Sequence, residues 1–374
     1  MSAPPPPISP AASAAGAADV TNVADAAEAI DAAHAPLHGG PDAQGQPAHD
    51  LSSNSHPCGP CPAAAQAVAA ARPAAYPDPA SAALRQRLAR WHGVHPRRIL
   101  IAASGSEFIQ RISSAIAIQA HTRAAAPPRV WLPPHAYGDY ARAARAHGLA
   151  PAAHPAQAAL LWACEPSSPL GQPQSDLPAL AAALQAQQTL VLDLAYAPLR
   201  LHGQPSLTPA QLDALWQLII PNKAMGLTGV RAAYVIAPAA ALEAAHPAAA
   251  LHARLHALAP SWPLGAHGEA LLHAWASPAA AAWLQAQQPT LRQWHARFAH
   301  ALQTAGWRPL PSQTPFFTAR PPAHLGPPAH WLPALRQRGF KLRDCTSFAL
   351  PGHLRINTPH PQVQDALLHA LNSL

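Results

Sequence analysis

Apolar positions along this chain follow two rhythms. Short runs at 99–102, 130–132, 160–163, 190–192, 218–220 and 233–236 are apolar throughout and bounded by turn residues. A strand with one wet face alternates apolar and polar side chains, so these runs predict strands buried on both faces, as in a parallel sheet covered by helices. Between them, residues 80–92, 108–120, 140–147, 177–186 and 209–217 carry apolar residues at helical spacing. The repeating strand–helix order predicts an α/β fold. Beyond 266, helical stretches over 269–287 and 290–305 lead to strand-like pieces around Phe316-Phe317 and Leu354-Arg355-Ile356, then to a helix over 361–371. That order predicts a second, smaller α+β unit. The reading gives a large domain over 63–265 and a small C-terminal domain over 266–374. Ahead of them lies a tail over 1–36, opening with a proline run and predicting no more than a fraying helix over 19–33.

Composition narrows the class. Of 374 residues, 49% are hydrophobic, enough for a sizeable core. No apolar run reaches the roughly 18 residues of a membrane span. Charged residues are 11% and prolines number 46, which excludes coiled coils and fibres. The tail lacks a basic stretch followed by an apolar core, so no secretory signal is read there. The whole chain's formal charge of +7 comes from scattered arginines whose longest patch is Arg97-Arg98. Nucleic-acid binders cluster such charge, so the surface suits a small phosphorylated or carboxylated substrate, with no nucleic acid and no membrane as partner. Four cysteines point to a reducing cytoplasm rather than a disulfide scaffold. Cys58-Gly59-Pro60-Cys61 has redox spacing, but it lies in a proline-rich turn and reads as incidental thiols. Histidine pairs four apart (His34 with His38, His252 with His256) lack an evident third ligand, so no metal is expected.

Open α/β sheets bind ligands at the carboxyl ends of their strands. After 99–102 comes Ser104-Gly105-Ser106-Glu107, opening a helix whose N-terminal amides can approach an anion. After 190–192 comes Asp193-Leu194-Ala195-Tyr196, and after 218–220 comes Pro221-Asn222-Lys223, with Arg231 eight residues past the lysine. Only Lys223 and Lys341 are lysines in a chain that otherwise uses arginine. Arginine neither deprotonates nor forms a Schiff base, whereas lysine does both. An aldehyde cofactor such as pyridoxal phosphate needs a lysine, a carboxylate for its ring nitrogen, and a helix N-terminus with a cation for its phosphate.

These blocks, from about His38 to the C-terminus, resemble fold-type I pyridoxal-phosphate enzymes of the histidinol-phosphate aminotransferase branch. Within it they most resemble the L-threonine-O-3-phosphate decarboxylases of cobalamin biosynthesis. The motifs are His38-Gly39-Gly40, Leu51-Ser52-Ser53-Asn54, Tyr76-Pro77-Asp78-Pro79, Ser104 to Glu107, Pro134 to Tyr140, and Pro166-Ser167-Ser168-Pro169-Leu170-Gly171. Asp193 to Tyr196, Asn222 to Arg231, Arg343-Asp344-Cys345-Thr346-Ser347-Phe348 and Leu354-Arg355-Ile356 complete the set. The resemblance implies a large domain with a mostly parallel seven-stranded sheet, a smaller α+β domain, and an N-terminal arm over 37–62 covering the active site.

It also implies roles. Lys223 would join the cofactor's aldehyde and then transfer the proton. Asp193 would hold the ring nitrogen, Tyr196 the phenolic oxygen, and Tyr137 would stack on the ring. Gly105, Ser106 and Arg231 would take the phosphate, with Tyr76 reaching it from the second subunit of a homodimer with shared sites. Arg355 would bind the substrate carboxylate, with Asn54 and His38 in the arm covering the substrate; a second anion site for a substrate phosphate would have Arg343, His38 or Arg200 in reach. Two positions depart from the pattern: Ser168 stands where the family has an asparagine contacting the phenolic oxygen, and Ile220 where it has a phosphate-binding serine. The implied activity is decarboxylation of L-threonine O-3-phosphate. The alternatives are an aminotransferase acting on histidinol phosphate or a related amino acid, and a non-catalytic protein of the same fold.

Overall fold

The computed structural model describes residues 38–121 and 126–374; the tail over 1–36 and its expected helix over 19–33 lie outside the described residues. Strands among these residues are β1 His49–Asp50, β2 Ile99–Ala102, β3 Arg129–Trp131, β4 Ala150–Pro151, β5 Leu160–Cys164, β6 Thr189–Asp193, β7 Trp216–Ile219 and β8 Ala233–Ile236. They continue as β9 Arg308–Pro309, β10 Phe316–Arg320, β11 Phe340–Lys341, β12 Arg343–Asp344 and β13 Leu354–Asn357. The α-helices are α1 Pro62–Ala69, α2 Ala82–His92, α3 Gly105–His121, α4 Gly138–Ala146, α5 Leu177–Ala182, α6 Pro209–Asp213 and α7 Pro247–Ala257. Then come α8 Ala266–Trp275, α9 Pro278–Thr304, α10 Pro328–Gln337 and α11 Pro361–Asn372.

The large sheet has the order β2-β8-β7-β6-β5-β3-β4. It is parallel except for β8, which runs antiparallel to both β2 and β7. The all-apolar runs have the double burial their pattern predicts. Leu100, Leu160, Trp162, Val191 and Val235 pack on one face with Phe108, Ile112, Leu251 and Leu255 of α3 and α7. Their neighbours Ile99, Ile101, Tyr234 and Ile236 pack on the other face with Leu84, Leu88, Leu271 and Trp275 of α2 and α8. Leu161, Leu190 and Leu192 extend that second face over Leu177 of α5. A smaller antiparallel sheet, β12-β13-β10-β9, carries the C-terminal core of Phe298, Leu302, Phe317, Trp331, Leu354, Ile356 and Leu367.

Three boundaries differ from the sequence reading. The helix expected over 209–217 ends at Asp213, and Trp216 and Gln217 belong to β7. Strand pairing of Trp216 with Val191 overrides the local helical spacing. The helix expected over 177–186 stops at Ala182. The break expected near 288–289 is absent: α9 runs through Pro289, and the interruption falls at Ala276 and Ser277. Ser277 Oγ accepts the Ala280 N–H and Pro278 opens the helix, a strong start signal. Pro289 and Gln285 are both exposed, so the carbonyl that Pro289 leaves unbonded is open to water.

Chain 49–61 threads between the two sheets. β1 pairs in parallel with β11, Asn357 N–H donates to the Leu51 carbonyl at 2.9 Å, and Cys61 N–H donates to the Met225 carbonyl at 2.9 Å. Cys58 and Cys61 are free thiols, and burial pushes Cys58 up to about 11, which leaves it unreactive at neutral pH. No helix among the described residues is long and apolar enough to cross a membrane. Among the same residues no group of three or more His, Cys, Asp or Glu is placed to hold a metal.

Candidate active site

The floor of the site is made where β5 and β6 end. Asp193 is the register partner of Cys164, and its carboxylate is buried. Oδ2 accepts the Tyr140 hydroxyl at 2.7 Å, and Oδ1 accepts the Ala195 N–H at 2.9 Å. Tyr140 is held by stacking on Trp162, with centroids 4.2 Å apart and planes 10° from parallel. Burial pushes the Asp193 carboxyl up; the Tyr140 and Ala195 hydrogen bonds and the Lys223 charge oppose it. A carboxylate offers about four acceptor sites, so the two protein donors leave room for a third.

Lys223 stands on the loop that follows β7. The loop folds back on itself, Met225 N–H to the Pro221 carbonyl at 2.9 Å and Leu227 N–H to the Asn222 carbonyl at 2.8 Å. The arm braces it: His56 N–H donates to the Lys223 carbonyl at 3.0 Å. Gly226, at φ +66°, admits this approach, since a Cβ there would lie 2.5 Å from the Gly59 carbonyl oxygen. Lys223 Nζ lies 5.5 Å from the centre of the Tyr196 ring. The Tyr196 hydroxyl in turn accepts Asn54 Nδ2 at 3.4 Å. Asn54 is 1% exposed, adopts φ +56°, and has a buried Oδ1 with no partner.

Opposite lies the N-terminus of α3. Ser104 Oγ accepts the Glu107 N–H at 3.1 Å, while the amides of Gly105 and Ser106 precede the helical ladder and are open to an anion. Ile220 fills the side where a Gly105 Cβ would stand. Ser106 Oγ donates to Asp139 Oδ2 at 2.8 Å, and the Tyr137 hydroxyl donates to the same oxygen at 3.0 Å. Arg142 Nη2 donates to Oδ1 at 2.9 Å, and His38 Nε2 is 3.6 Å away from it. His38 also tilts against the Tyr137 ring at 5.7 Å. Burial pulls the His38 pKa down, against the pull of Asp139.

Two arginines form the remaining wall. Arg343 of β12 and Arg355 of β13 are register partners, and both are buried. Their guanidinium carbons lie 5.2 Å and 5.8 Å from the Phe348 ring centre. Arg355 donates to Ser168 Oγ at 2.9 Å and to the Ser52 carbonyl, while its Nε is buried without a partner. Arg343 donates to Ser347 Oγ at 2.7 Å. Burial and then the Arg355 charge pull the Arg343 pKa down.

The fold thus gathers Lys223, Asp193, Tyr196, Asn54, Ser168 and Arg355 around one space, with Gly105, Ser106, Tyr137, His38 and Arg343 on its other sides. Ser168 faces Arg355. Two expected residues are exposed. Arg231 is exposed but near enough for its charge to help pull the His38 pKa down, and Tyr76 is 80% exposed with its ring stacked on Trp262 at 4.6 Å. Sequence reasoning missed Tyr140 and Asp139, both inside the block read for Tyr137. A tyrosine three residues past the stacking position was the available signal, but only the fold brings it under Asp193. Arg200, which could pass for an anion-binding cation, is instead paired with Glu165 at 2.8 Å.

The donor set fits pyridoxal phosphate. It includes a lysine amine, a buried carboxylate with acceptor capacity to spare, an unpartnered buried amide oxygen at Asn54, and the first-turn amides of the helix that opens at Gly105.

Comparisons with known proteins agree. A family model described as aminotransferase class I and II matches residues 47–371. Histidinol-phosphate aminotransferase of Granulibacter bethesdensis is 28% identical over 350 residues, covering 86% of this chain and 88% of that protein. Histidinol-phosphate aminotransferase of Sinorhizobium meliloti, solved with pyridoxal-5'-phosphate, superposes with a TM-score of 0.67 at 21% identity, covering 92% of this chain and 93% of that one. L-threonine-O-3-phosphate decarboxylase of Porphyromonas gingivalis superposes with a TM-score of 0.69 at 19% identity, covering 86% of this chain and 98% of that one.

Proposed function

The chain belongs to the class I and II aminotransferase family and uses pyridoxal 5'-phosphate; on that premise we propose that it decarboxylates L-threonine O-3-phosphate to (R)-1-aminopropan-2-yl phosphate and carbon dioxide in cobalamin biosynthesis, in the cytoplasm. The observation that supports this reading is the buried cross-strand pair of Arg343 and Arg355. Two desolvated guanidiniums beside each other suit a substrate with two anionic groups. Threonine phosphate carries a carboxylate and a phosphate; histidinol phosphate carries a phosphate alone.

Bound pyridoxal phosphate supplies an electron sink for the bond broken at the substrate α-carbon. The chain's own residues do the rest. Asp193 keeps the ring nitrogen protonated, because a buried carboxylate favours a cation beside it. Tyr196, with Asn54 behind its hydroxyl, takes the phenolic oxygen. Tyr137 covers a ring face, while the Gly105 and Ser106 amides and Arg231 take the phosphate. Arg355 grips the carboxylate from its seat on Ser168. Arg343 and His38 take the second anion. Lys223 would hold the group through its aldehyde carbon, and its amine would be the base that moves a proton at the substrate α-carbon.

The second reading is an aminotransferase, favoured by the names of the relatives similar over most of their length. The two reactions differ in which bond at the substrate α-carbon is broken, and Arg355, which would hold the carboxylate, would set that choice. Carbon dioxide release from L-threonine O-3-phosphate, measured beside amino transfer from histidinol phosphate to 2-oxoglutarate, decides between them. Transfer without release overturns the decarboxylase. The exposed Tyr76–Trp262 pair supports a homodimer in which Tyr76 serves the other copy's phosphate. A monomer by analytical ultracentrifugation overturns that part.

A further inference from the structure

Two side chains with no role so far, Glu165 and Arg200, form a largely buried ion pair. Glu165 follows β5 and is 2% exposed. Its Oε1 accepts Arg200 Nη2 at 2.8 Å and the Ser206 N–H at 2.9 Å. The other Arg200 amino group donates to Gln313 Oε1. Gln313 is tied at both ends of its own peptide: its N–H donates to the Gly171 carbonyl at 2.7 Å, and its carbonyl accepts the Leu201 N–H at 2.6 Å.

Three segments meet at this pair. Glu165 stands three residues before Ser168, on the loop that seats Arg355. Arg200 ends the turn that begins at Tyr196, whose carbonyl accepts the Leu199 N–H at 3.0 Å. Gln313 lies on the chain entering β10, the strand that pairs with Arg355 through Thr318. An exposed ion pair adds little, but removing one partner of a buried pair leaves an uncompensated charge that the surroundings must move to solvate. A shift of about 1 Å at a reacting group is enough to cost roughly a hundredfold in rate.

We propose that Glu165 and Arg200 are positioning residues that hold the Ser168 loop and the Tyr196 turn at a set separation on either side of the cofactor. They touch neither cofactor nor substrate and act through Tyr196 and through Ser168 on Arg355. This rests on the placement of Tyr196 at the cofactor given above, and the experiment separates the two. The readout is the pH midpoint of the visible absorbance change of the pyridoxal-phosphate-loaded protein, with thermal melting alongside. Tyr196→Phe moves the midpoint if that placement holds. Glu165→Gln then moves it in the same direction by about half a pH unit or more. Glu165→Gln/Arg200→Gln, which restores a neutral hydrogen-bonded pair, brings it at least halfway back. Gln313→Ala, at a half-buried position, is read the same way if Glu165→Gln does not fold. A Glu165→Gln protein that melts lower but keeps the wild-type midpoint, while Tyr196→Phe shifts it, overturns the positioning role alone. An unmoved midpoint in Tyr196→Phe overturns the placement and this inference together.

Discussion

The floor and the rim of the site each hold a buried aspartate, and the two are satisfied differently. Asp193, at the end of β6, has neutral donors only: a tyrosine hydroxyl and a peptide N–H. Asp139, at the start of α4, has Arg142 on one oxygen, His38 near it, and two hydroxyls on the other. The rim carboxylate is therefore compensated by its own chain, and it fixes Ser106 and Tyr137. The floor carboxylate is raised by burial and has no cation within hydrogen-bond reach, so on the proposed placement a cationic ring nitrogen would supply what it lacks. Similar burial thus serves opposite ends: one group is a finished brace, the other an unfilled acceptor.

The contrast is open to direct attack. Lys223→Ala has the largest effect, abolishing the visible absorbance of the cofactor-loaded protein and lowering turnover about 10⁴-fold, measured by spectrophotometry and product release. Asp193→Asn, which keeps shape and removes charge, lowers kcat on the order of 10²–10³-fold with the protein still folded. Asp139→Asn costs about tenfold or less, since Arg142 is partly exposed and is rehydrated when its partner goes. Equal losses at the two aspartates would erase the distinction. Arg343→Gln raises KM for a doubly anionic substrate by about 10–100-fold while kcat changes less, because the lost contact is a charge-assisted one to a non-reacting group. An unchanged KM removes the second anion from the argument.

The smallest effect is one of pH. His56 of the arm, His92 and His295 are held neutral by burial, each pulled down from its ordinary value to about 4. Between roughly pH 6.5 and 4 the unfolded chain binds protons there that the native state refuses, so stability is present above this window and falls as pH drops through it. Melting temperature followed from neutral pH down through that range shows the decline, and His56→Gln flattens part of it. His56 braces the Lys223 loop through its own N–H, and its ring nitrogen Nδ1 accepts the Cys58 N–H at 3.2 Å, so protonation there loosens the arm where it meets that loop. A melting temperature flat across the window contradicts the burial of these rings as neutral groups.

Much of this was legible in the amino acids. Runs without polar positions located six of the seven strands of the large sheet, because a strand buried on both faces has no place for water-seeking side chains; the partly exposed two-residue edge strand β4 was not among them. Strand ends singled out Lys223, Asp193 and Ser104 to Glu107 as candidates, because ligands in an open α/β sheet bind there. Boundaries were less legible where local signals compete: Trp216 has helical spacing but strand partners, and Pro289 looks like a stop but sits where solvent takes the released carbonyl.

What the sequence determined by itself was local: which segments hide both faces, which hide one, and that a chain using arginine nearly everywhere keeps a lysine at 223. Which charge meets which was decided only by the tertiary structure. Arg200 went to Glu165, Arg355 to Ser168 and Arg142 to Asp139, while Asp193 was left with neutral donors. The reason is physical: the cost of burying a charge and the identity of its partner depend on distances across the fold between residues far apart in the chain, and no local pattern encodes them.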